Sequence, residues 1–273
     1  MSQAGFGASP GARSASRVLP ALAFLRGRAS RMATEPAPRG TVPDPDELLD
    51  TEIARLLSIA SPRTVDGLLM AARGSSFMAR AVVTRQGDAL SLAVLLAGVA
   101  AVRRTGPEGQ TFTVRLLRPG QVAGLRSLRE DCPAMFGVVA LTPVWIVLWT
   151  GAVVRRLAEQ DTPFALALLD LAVGTPEPLI ARLDEMTFDS ARKRVAATLL
   201  SHEELLAARP PIVSRMDLAG LVGTSREMVG RVIRGLEAEG VVSRDGRAIA
   251  IRDRARLERE ATAGGAPEDW LGA

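Results

Sequence analysis

Three side chains of the kinds that read DNA bases lie close together near the C-terminus. They are Arg226, Glu227 and Arg231. Arginine can donate two hydrogen bonds to the O6/N7 edge of guanine, and glutamate can accept one from cytosine N4. A helix that offers these side chains to solvent would therefore carry the chemistry of major-groove recognition.

Helical geometry separates these polar side chains from the apolar ones. At about 100° per residue, Glu227 and Arg231 fall opposite an apolar stripe, and Arg226 lies near the boundary, where its long side chain still reaches outward. The apolar stripe consists of Val229, Val232, Ile233 and Leu236, and the polar face adds Gly230 and Arg234. Charged residues on an exposed helix are more often only a solvated surface, so the interpretation depends on the neighbouring elements.

The preceding residues have the signals of a helix-turn-helix. Ser214 and Asp217 form a capping-box pattern that opens a first helix, and Gly223 ends it, because glycine adopts positive φ without strain. Thr224 and Ser225 then place hydroxyl groups at the start of the second helix. A helix, a tight turn with glycine and a second capped helix together predict a helix-turn-helix.

A β-hairpin follows the second helix. Residues 241–251 alternate in polarity on both sides of an Asp245–Gly246 turn of the type that hairpins favour. A helix-turn-helix followed by a hairpin is a winged helix, whose wing commonly lies along phosphates. The pattern therefore assigns phosphate contacts to Arg244 and Arg247.

The middle of the chain predicts a β domain. Between Ala81 and Trp149, short runs rich in Val, Leu and Ile alternate with turn signals, which favours an antiparallel β-sandwich or barrel over a helical bundle. Helical spacing precedes this region over Asp44–Leu57 and returns after Ala152, with a long amphipathic stretch over Leu179–Leu200 that could pack against a second copy. The fold class is therefore α+β.

Five segments follow from these patterns. We expect a disordered extension at 1–43, a β domain with flanking helices at 44–175, a helical stretch and hinge at 176–208 that could serve in dimerisation, a winged helix-turn-helix at 209–260 and a flexible tail at 261–273. The extension is poor in acids and rich in Ala, Gly, Ser, Pro and Arg, so we expect it to be dispensable or to precede a true start at Met32. Val138–Trp149 is too short to cross a bilayer, so no membrane span is predicted.

Composition argues against most enzyme classes and against a metal centre. The 273-residue chain has one cysteine, Cys132, and one histidine, His202, and Lys193 is its only lysine. A structural zinc site uses about four such ligands, so neither a metal nor a cofactor is expected. Lone residues of this kind are more often an ordinary thiol and a solvated histidine than catalytic groups. The net charge of +4 permits a nucleic-acid partner without requiring one.

The segment Leu218–Ile251, and especially Val222–Ile233, resembles the DNA-binding domain of the Crp/Fnr family of bacterial regulators, with the signature Ser-Arg-Glu-x-x-Gly-Arg at Ser225–Arg231. The resemblance covers roughly residues 46–255, because the turns at Gly87–Asp88, Gly98, Gly109 and Pro119–Gly120 fall where that family's cyclic-nucleotide-binding-like β-roll has its turns. It implies a homodimer that binds an inverted repeat with a half-site related to TGTGA. It also implies base reading by Arg226, Glu227 and Arg231, with phosphate or auxiliary contacts from Thr224, Ser225, Arg234, Arg244 and Arg247.

The residues that would bind a cyclic nucleotide depart from the family pattern. The ribose-binding segment aligns with Gly124–Leu125, the phosphate-binding pair with Ala134–Met135, and the base-contacting pair with Leu179–Ile180. Apolar side chains cannot neutralise a buried cyclic phosphate, which would be strongly penalised. We therefore expect a degenerate effector pocket and no response to cyclic AMP. One cysteine also excludes an iron–sulfur cluster of the usual four-cysteine kind, and haem would lack axial ligands.

Two possibilities therefore remain for the effector: an apolar molecule that binds in the β-roll, or no effector at all. The leading function is a cytoplasmic, sequence-specific regulator that binds double-stranded DNA, with RNA polymerase as a further candidate partner. The alternative is an effector- or protein-binding β-roll module with a vestigial DNA-binding domain. A vestigial helix would be expected to have lost Arg226, Glu227 and Arg231, and all three are present.

Overall fold

The computed structural model describes residues 10–32, 43–174 and 177–262 of the chain. These residues form two compact units. The first contains residues 10–32, 43–102 and 116–174, and the second contains residues 103–115 and 177–262. The predicted α+β class, with an antiparallel β-roll followed by a helix-turn-helix, is confirmed.

The β-roll consists of two four-stranded sheets. Its strands are β1 (Arg73–Phe77), β2 (Val82–Thr84), β3 (Ser91–Ala97), β4 (Ala100–Thr105), β5 (Thr111–Leu117), β6 (Val122–Ala123), β7 (Gly137–Ala140) and β8 (Val144–Thr150). One sheet has the order β1-β8-β3-β6 and the other β2-β7-β4-β5. The predicted strand region over Ala81–Trp149 is thus confirmed. β1 was not predicted, because Arg73–Phe77 has one large apolar residue and no alternation.

Two apolar clusters stabilise the first unit. The cluster between the strands comprises Leu95, Ala100, Leu117, Ala140, Val144 and Ile146. The larger cluster joins β3 and β8 to the helices α2 (Glu52–Ile59), α3 (Pro62–Ala71), α4 (Gly151–Glu159) and α5 (Thr162–Gly174). A short 3-10 helix, Pro45–Leu48, precedes α2, so the single helix predicted over Asp44–Leu57 is divided into two pieces.

A buried carboxylate joins two of these helices. Asp161 is 5% exposed and accepts hydrogen bonds from the amides of Ser61 (2.7 Å) and Phe164 (3.1 Å). Burial raises its pKa, but the hydrogen bonds from the Thr64 hydroxyl and from these two amides outweigh burial and lower the pKa to about 2. Asp161 therefore satisfies backbone donors at the starts of α3 and α5.

An N-terminal helix, α1 (Pro10–Met32), corrects the prediction of disorder over residues 1–43. Its inner face is buried in the larger cluster through Val18, Ala21, Leu22, Leu25 and Ala29. These residues recur at intervals of three and four, and Pro20 lies on the exposed face. The prediction of disorder is wrong for 10–32, because the low acid content and the proline obscured this spacing. The remaining parts of that segment lie outside the described residues.

The helix α1 also approaches β1 closely. A Cβ atom added at Gly74 would lie 2.7 Å from the Cα atom of Ala29 and 2.8 Å from the carbonyl oxygen of Arg28. Side-chain atoms do not occupy such distances, so glycine at position 74 allows the helix backbone to pack directly on the strand.

The second unit contains the rest of the described chain. Its elements are the end of the β4–β5 hairpin (residues 103–115), α6 (Glu177–Phe188), α7 (Ala191–Ser201), α8 (Glu203–Ala207), α9 (Arg215–Val222), α10 (Arg226–Ala238), β9 (Val242–Asp245), β10 (Ala248–Ile251) and α11 (Arg254–Thr262). The hairpin end contacts the helices, since Arg103 pairs with Asp217 and the Arg182 guanidinium lies 5.4 Å from the centre of the Phe112 ring.

The predicted domain boundaries need two corrections in this unit. The helix predicted over Leu179–Leu200 is divided at Ser190, whose hydroxyl caps α7 by accepting from the Lys193 amide at 3.2 Å. The new helix α7 then packs on α9, α10 and α11, so it belongs to the helix-turn-helix core rather than to a dimerisation helix. Similarly, α11 extends to Thr262, and the residues described beyond 260 are helical rather than a flexible tail.

We predict that Leu25→Ala destabilises the protein by about 2–5 kcal/mol, because it leaves a cavity beneath α1. Chemical denaturation followed by circular dichroism measures the free energy of unfolding. The control is Ser30→Ala on the exposed face of the same helix, which should change that free energy by less than about 0.5 kcal/mol. Equal stability of the two variants would show that α1 is not part of the folded core.

Candidate nucleic-acid interface

The first helix of the helix-turn-helix, α9, begins and ends at the predicted residues. Ser214 and Asp217 form the capping box: the Ser214 amide donates to Asp217 Oδ2 at 2.8 Å, and the Asp217 amide donates to Ser214 Oγ at 3.2 Å. Gly223 ends the helix with φ of 70°. The capping box fixes the start of α9, and the positive φ of Gly223 fixes its end. Both ends of the helix are therefore determined by residues close in sequence.

The second helix, α10, is fixed by its buried face. Val229, Ile233 and Leu236 are at most 3% exposed, and they pack towards α9 and α7. The Ser225 hydroxyl caps the helix by accepting from the Met228 amide at 3.1 Å. Ser225 is exposed and Thr224 is half-buried beside it, so both lie at the start of the helix where the sequence places phosphate contacts.

The opposite face of α10 is polar and open. Arg226, Glu227, Arg231 and Arg234 are all exposed. Within the part of the chain that the structure describes, none of the four has a side-chain hydrogen bond or an ion pair. The structure thus brings the three predicted base readers together on one helix, with their donors and acceptors available to an external partner.

Other arginines of this unit are used internally, which makes the open face of α10 distinctive. Arg192 on α7 donates to both carboxylate oxygens of Glu239 at 2.9 Å and to both of Glu260 at 2.7 Å. These hydrogen bonds, the one to Glu260 first, raise the pKa of Arg192 and lower the pKa values of Glu260 and Glu239. The pairs join α7, α10 and α11 behind the recognition helix.

A glycine lies in the middle of the open face. A Cβ atom at Gly230 would meet only the Arg234 guanidinium, at 3.5 Å, which is an ordinary contact with a flexible side chain. A glycine inside a helix costs about 1 kcal/mol relative to alanine. Internal packing at position 230 leaves room for a methyl group, so it does not account for the glycine.

The wing is the antiparallel pair β9–β10, in which Asp245 pairs with Ala248. Gly246 and Arg247 form its two-residue turn, with Gly246 at φ of 60°. Arg247 is exposed at the tip and has no side-chain partner among the described residues. Arg244, the other predicted phosphate contact, is instead paired with Glu237 on α10. Sequence reasoning missed this pair, because the two residues belong to different elements.

The β-roll residues assigned to the degenerate effector pocket have different environments. Gly124 has φ of 80° and begins a short 3-10 helix, whose first residue, Leu125, packs on the larger apolar cluster. Ala134 is buried, and Met135 is 41% exposed. Leu179 and Ile180 are on α6 in the second unit, half-buried and 57% exposed respectively. No charged side chain is among the six residues.

The lone cysteine and histidine lie outside the helix-turn-helix surface. The Cys132 sulfur accepts a hydrogen bond from Arg126 at 3.1 Å, and His202 lies half-buried between α7 and α8. Among the described residues, no group of three or more His, Cys, Asp or Glu side chains could hold a metal ion.

Two family descriptions match this chain. Residues 193–260 match the Crp-like helix-turn-helix domain, and residues 75–161 match the cyclic nucleotide-binding domain. The first match begins near the start of α7, which agrees with the packing of that helix.

Curated relatives show the same likeness. The Cyclic AMP receptor protein of Thermus thermophilus is 33% identical over 185 residues, which are 63% of this chain and 81% of that protein. The nitrogen fixation regulation protein FixK of Bradyrhizobium diazoefficiens is 29% identical over 177 residues, which are 62% of this chain and 73% of that protein.

Solved structures agree in fold. FixK2 from Bradyrhizobium japonicum has a TM-score of 0.60 at 22% identity, covering 71% of this chain and 99% of that one. A transcriptional regulator of the Crp/Fnr family from Eubacterium rectale has a TM-score of 0.65 at 17% identity, covering 74% and 94%. At these identities the likeness shows the fold alone.

We predict that Gly230→Ala stabilises the protein by about 1 kcal/mol, because alanine is the better helix former. The same variant should weaken DNA binding by roughly tenfold or more, equivalent to at least about 1.4 kcal/mol, because the methyl group holds the helix away from the groove. Thermal unfolding and fluorescence anisotropy with labelled DNA measure the two effects.

Gly235→Ala is the matched control. Position 235 lies in the same helix and meets only Arg192, at 3.7 Å, so alanine should stabilise the helix there without changing DNA affinity. If Gly230→Ala bound DNA as tightly as Gly235→Ala, the open face would not be the surface that approaches DNA.

Proposed function

The chain belongs to the Crp/Fnr family of transcription regulators, and from that premise we propose that it binds an inverted-repeat DNA site as a homodimer without responding to cyclic AMP. Arg226, Glu227 and Arg231 are the proposed base readers. Thr224, Ser225, Arg234 and Arg247 are the proposed phosphate or auxiliary contacts. The proposed location is the cytoplasm, where the chain would meet DNA and RNA polymerase.

One observation supports DNA reading most directly. The polar face of α10 is exposed and without intramolecular partners in the described residues, while its other face is buried. An arginine or glutamate with a structural role would be paired, as Arg192 and Glu239 are. The open donors and acceptors match the edges of guanine and cytosine in the major groove. The same observation disfavours the alternative of a vestigial DNA-binding domain.

The homodimer is supported by exposed apolar residues on α5 and α6. Leu166, Leu169 and Val173 on α5 and Ile180 and Leu183 on α6 are each 55–65% exposed. Within each helix their sequence intervals, three and four on α5 and three on α6, are those of a coiled-coil seam, which two copies of a chain bury against each other. Exposed leucines at such intervals would be unfavourable in a monomer.

By length and composition alone, Thr162–Phe188 is also apolar enough to cross a membrane, among the residues described. Many helices that bury their apolar side against other protein segments have the same length and composition. Arg182 and Glu185 form an ion pair within α6, and α5 contributes Phe164 and Leu168 to the core of its own unit. We therefore favour a dimer seam over a membrane span.

We predict that Arg231→Ala weakens binding to the selected site by about 1–3 kcal/mol, because the variant cannot form the bidentate hydrogen bonds to guanine. Sites are first selected from random DNA with the wild-type protein and are expected to contain TGTGA-like half-sites. Arg63→Ala is the matched control: it removes the same charge from an exposed position on α3 in the first unit. Equal affinity of the two variants would reject base reading by Arg231.

The spacing of the half-sites tests the dimer in the same assay. Two recognition helices related by a twofold axis read half-sites about one DNA turn apart. Inserting five base pairs between the selected half-sites should therefore reduce wild-type affinity to that for a single half-site. Unchanged affinity would indicate that the protein binds as a monomer.

We further predict that cyclic AMP at concentrations up to the millimolar range gives no binding heat with the purified protein. A cyclic phosphate in the β-roll would lack a positively charged partner among Gly124, Leu125, Ala134 and Met135. The Thermus thermophilus relative, whose name describes it as a cyclic AMP receptor, serves as the positive control in titration calorimetry. Low-micromolar binding by this chain would overturn the proposal.

A further inference from the structure

The end of the recognition helix is joined to the wing by one acidic side chain. Glu237 accepts a hydrogen bond from the Arg244 amide at 3.2 Å through Oε1 and one from Arg244 Nε at 2.7 Å through Oε2. Its Oε2 also contacts Arg244 Nη2. These hydrogen bonds to Arg244, the side-chain one first, lower the pKa of Glu237. Glu237 thus binds both the backbone and the side chain of the first wing strand.

Glu237 lies near the boundary between the polar and apolar faces of α10, as Arg226 does. Eleven residues separate the two, and at about 100° per residue their positions differ by about 20° around the helix axis. If the wing lies along phosphates, an unpaired carboxylate beside the wing would repel them. Its pairing with Arg244 neutralises that charge.

Arg244 is therefore already paired, and Asp245, the acid of the wing, is paired as well. Arg209 pairs with Asp245 at 2.6 Å, next to the hairpin turn. Of the two arginines in the hairpin, only Arg247 at the tip lacks a side-chain partner among the described residues. Arg247, the free cation of the wing, thus lies within the two-residue turn, three residues beyond the paired Arg244.

We propose that Glu237 is a positioning residue that fixes the wing to the recognition helix, that Arg244 serves this pair and makes no phosphate contact, and that Arg247 is the wing's phosphate contact. This inference rests on the proposed DNA-binding function. The sequence pattern assigns a phosphate contact to both arginines of the wing, whereas this proposal assigns it to Arg247 alone and gives Arg244 a structural role.

The salt dependence of DNA affinity tests the division between the two arginines. Removing one arginine that binds a phosphate reduces the slope of log affinity against log salt by about 1. The Arg247→Gln variant should show this reduction, both on the selected inverted repeat and on random DNA. Arg244→Gln combined with Glu237→Gln, which removes both charges of the pair, should keep the wild-type slope on both. A reduced slope for this double variant, or an unchanged slope for Arg247→Gln, would overturn the assignment.

Two double variants test the role of Glu237. Arg244→Gln alone should weaken binding to the repeat several-fold, because an unpaired carboxylate then faces the phosphates. Adding Glu237→Gln should restore affinity to within twofold of wild type. The side-chain amide oxygen introduced at position 237 can still accept a hydrogen bond from the backbone amide of residue 244. The lack of such rescue would show that the Arg244 side chain itself contacts DNA.

The second double variant, Glu237→Ala with Arg244→Ala, removes the attachment without a net change of charge. It should reduce the preference for the repeat over random DNA about tenfold while leaving affinity for random DNA unchanged, since Arg247 keeps its charge and nonspecific attraction needs no fixed position of that charge. An unchanged preference would refute positioning. Thermal unfolding confirms folding, and failure of the wild-type protein to prefer the repeat would count against the proposed function instead.

Discussion

Burial of three apolar residues on one side of α10 is the constraint on which the DNA-reading surface depends. Val229, Ile233 and Leu236 fix the rotation of the helix about its own axis, and this rotation sends Arg226, Glu227 and Arg231 outward. Because the helix is held through its apolar side, its exposed arginines and Glu227 on the other side have no side-chain partners among the described residues. The affinity of such a surface for DNA can then change through single side chains without loss of the fold.

Ion pairs also support this helix from behind. Arg192 binds two carboxylates, one at the end of α10 and one on α11, and thereby attaches both elements to α7. The pairs are about two-thirds buried, so solvent and salt screen them only in part. Pairing with Arg192 lowers the pKa values of both glutamates. The two ion pairs therefore stabilise the fold fully at neutral pH, and this stabilisation is lost as the pH falls through the lowered pKa values.

The sequence was most informative where a single local interaction determines the structure. The capping box at Ser214 and Asp217 and the positive φ of Gly223 were both predicted, because each depends on residues within one helical turn. The polar face of α10 was predicted for the same reason. Interactions between distant residues could not be predicted: the sequence has no signal that Glu237 would bind Arg244. The cap at Ser190 is local but was missed, because the apolar helical spacing was followed across it.

The helix α1 shows a different limit of prediction from sequence. Its apolar residues have helical spacing, but the composition of the segment led to a prediction of disorder. Its packing has a consequence for comparing sequences. Because the helix backbone occupies the space above Gly74, a related chain that carries a larger residue at the corresponding strand position cannot seat an equivalent helix there. A larger residue at that strand position therefore identifies regulators that cannot carry an N-terminal layer in the same place.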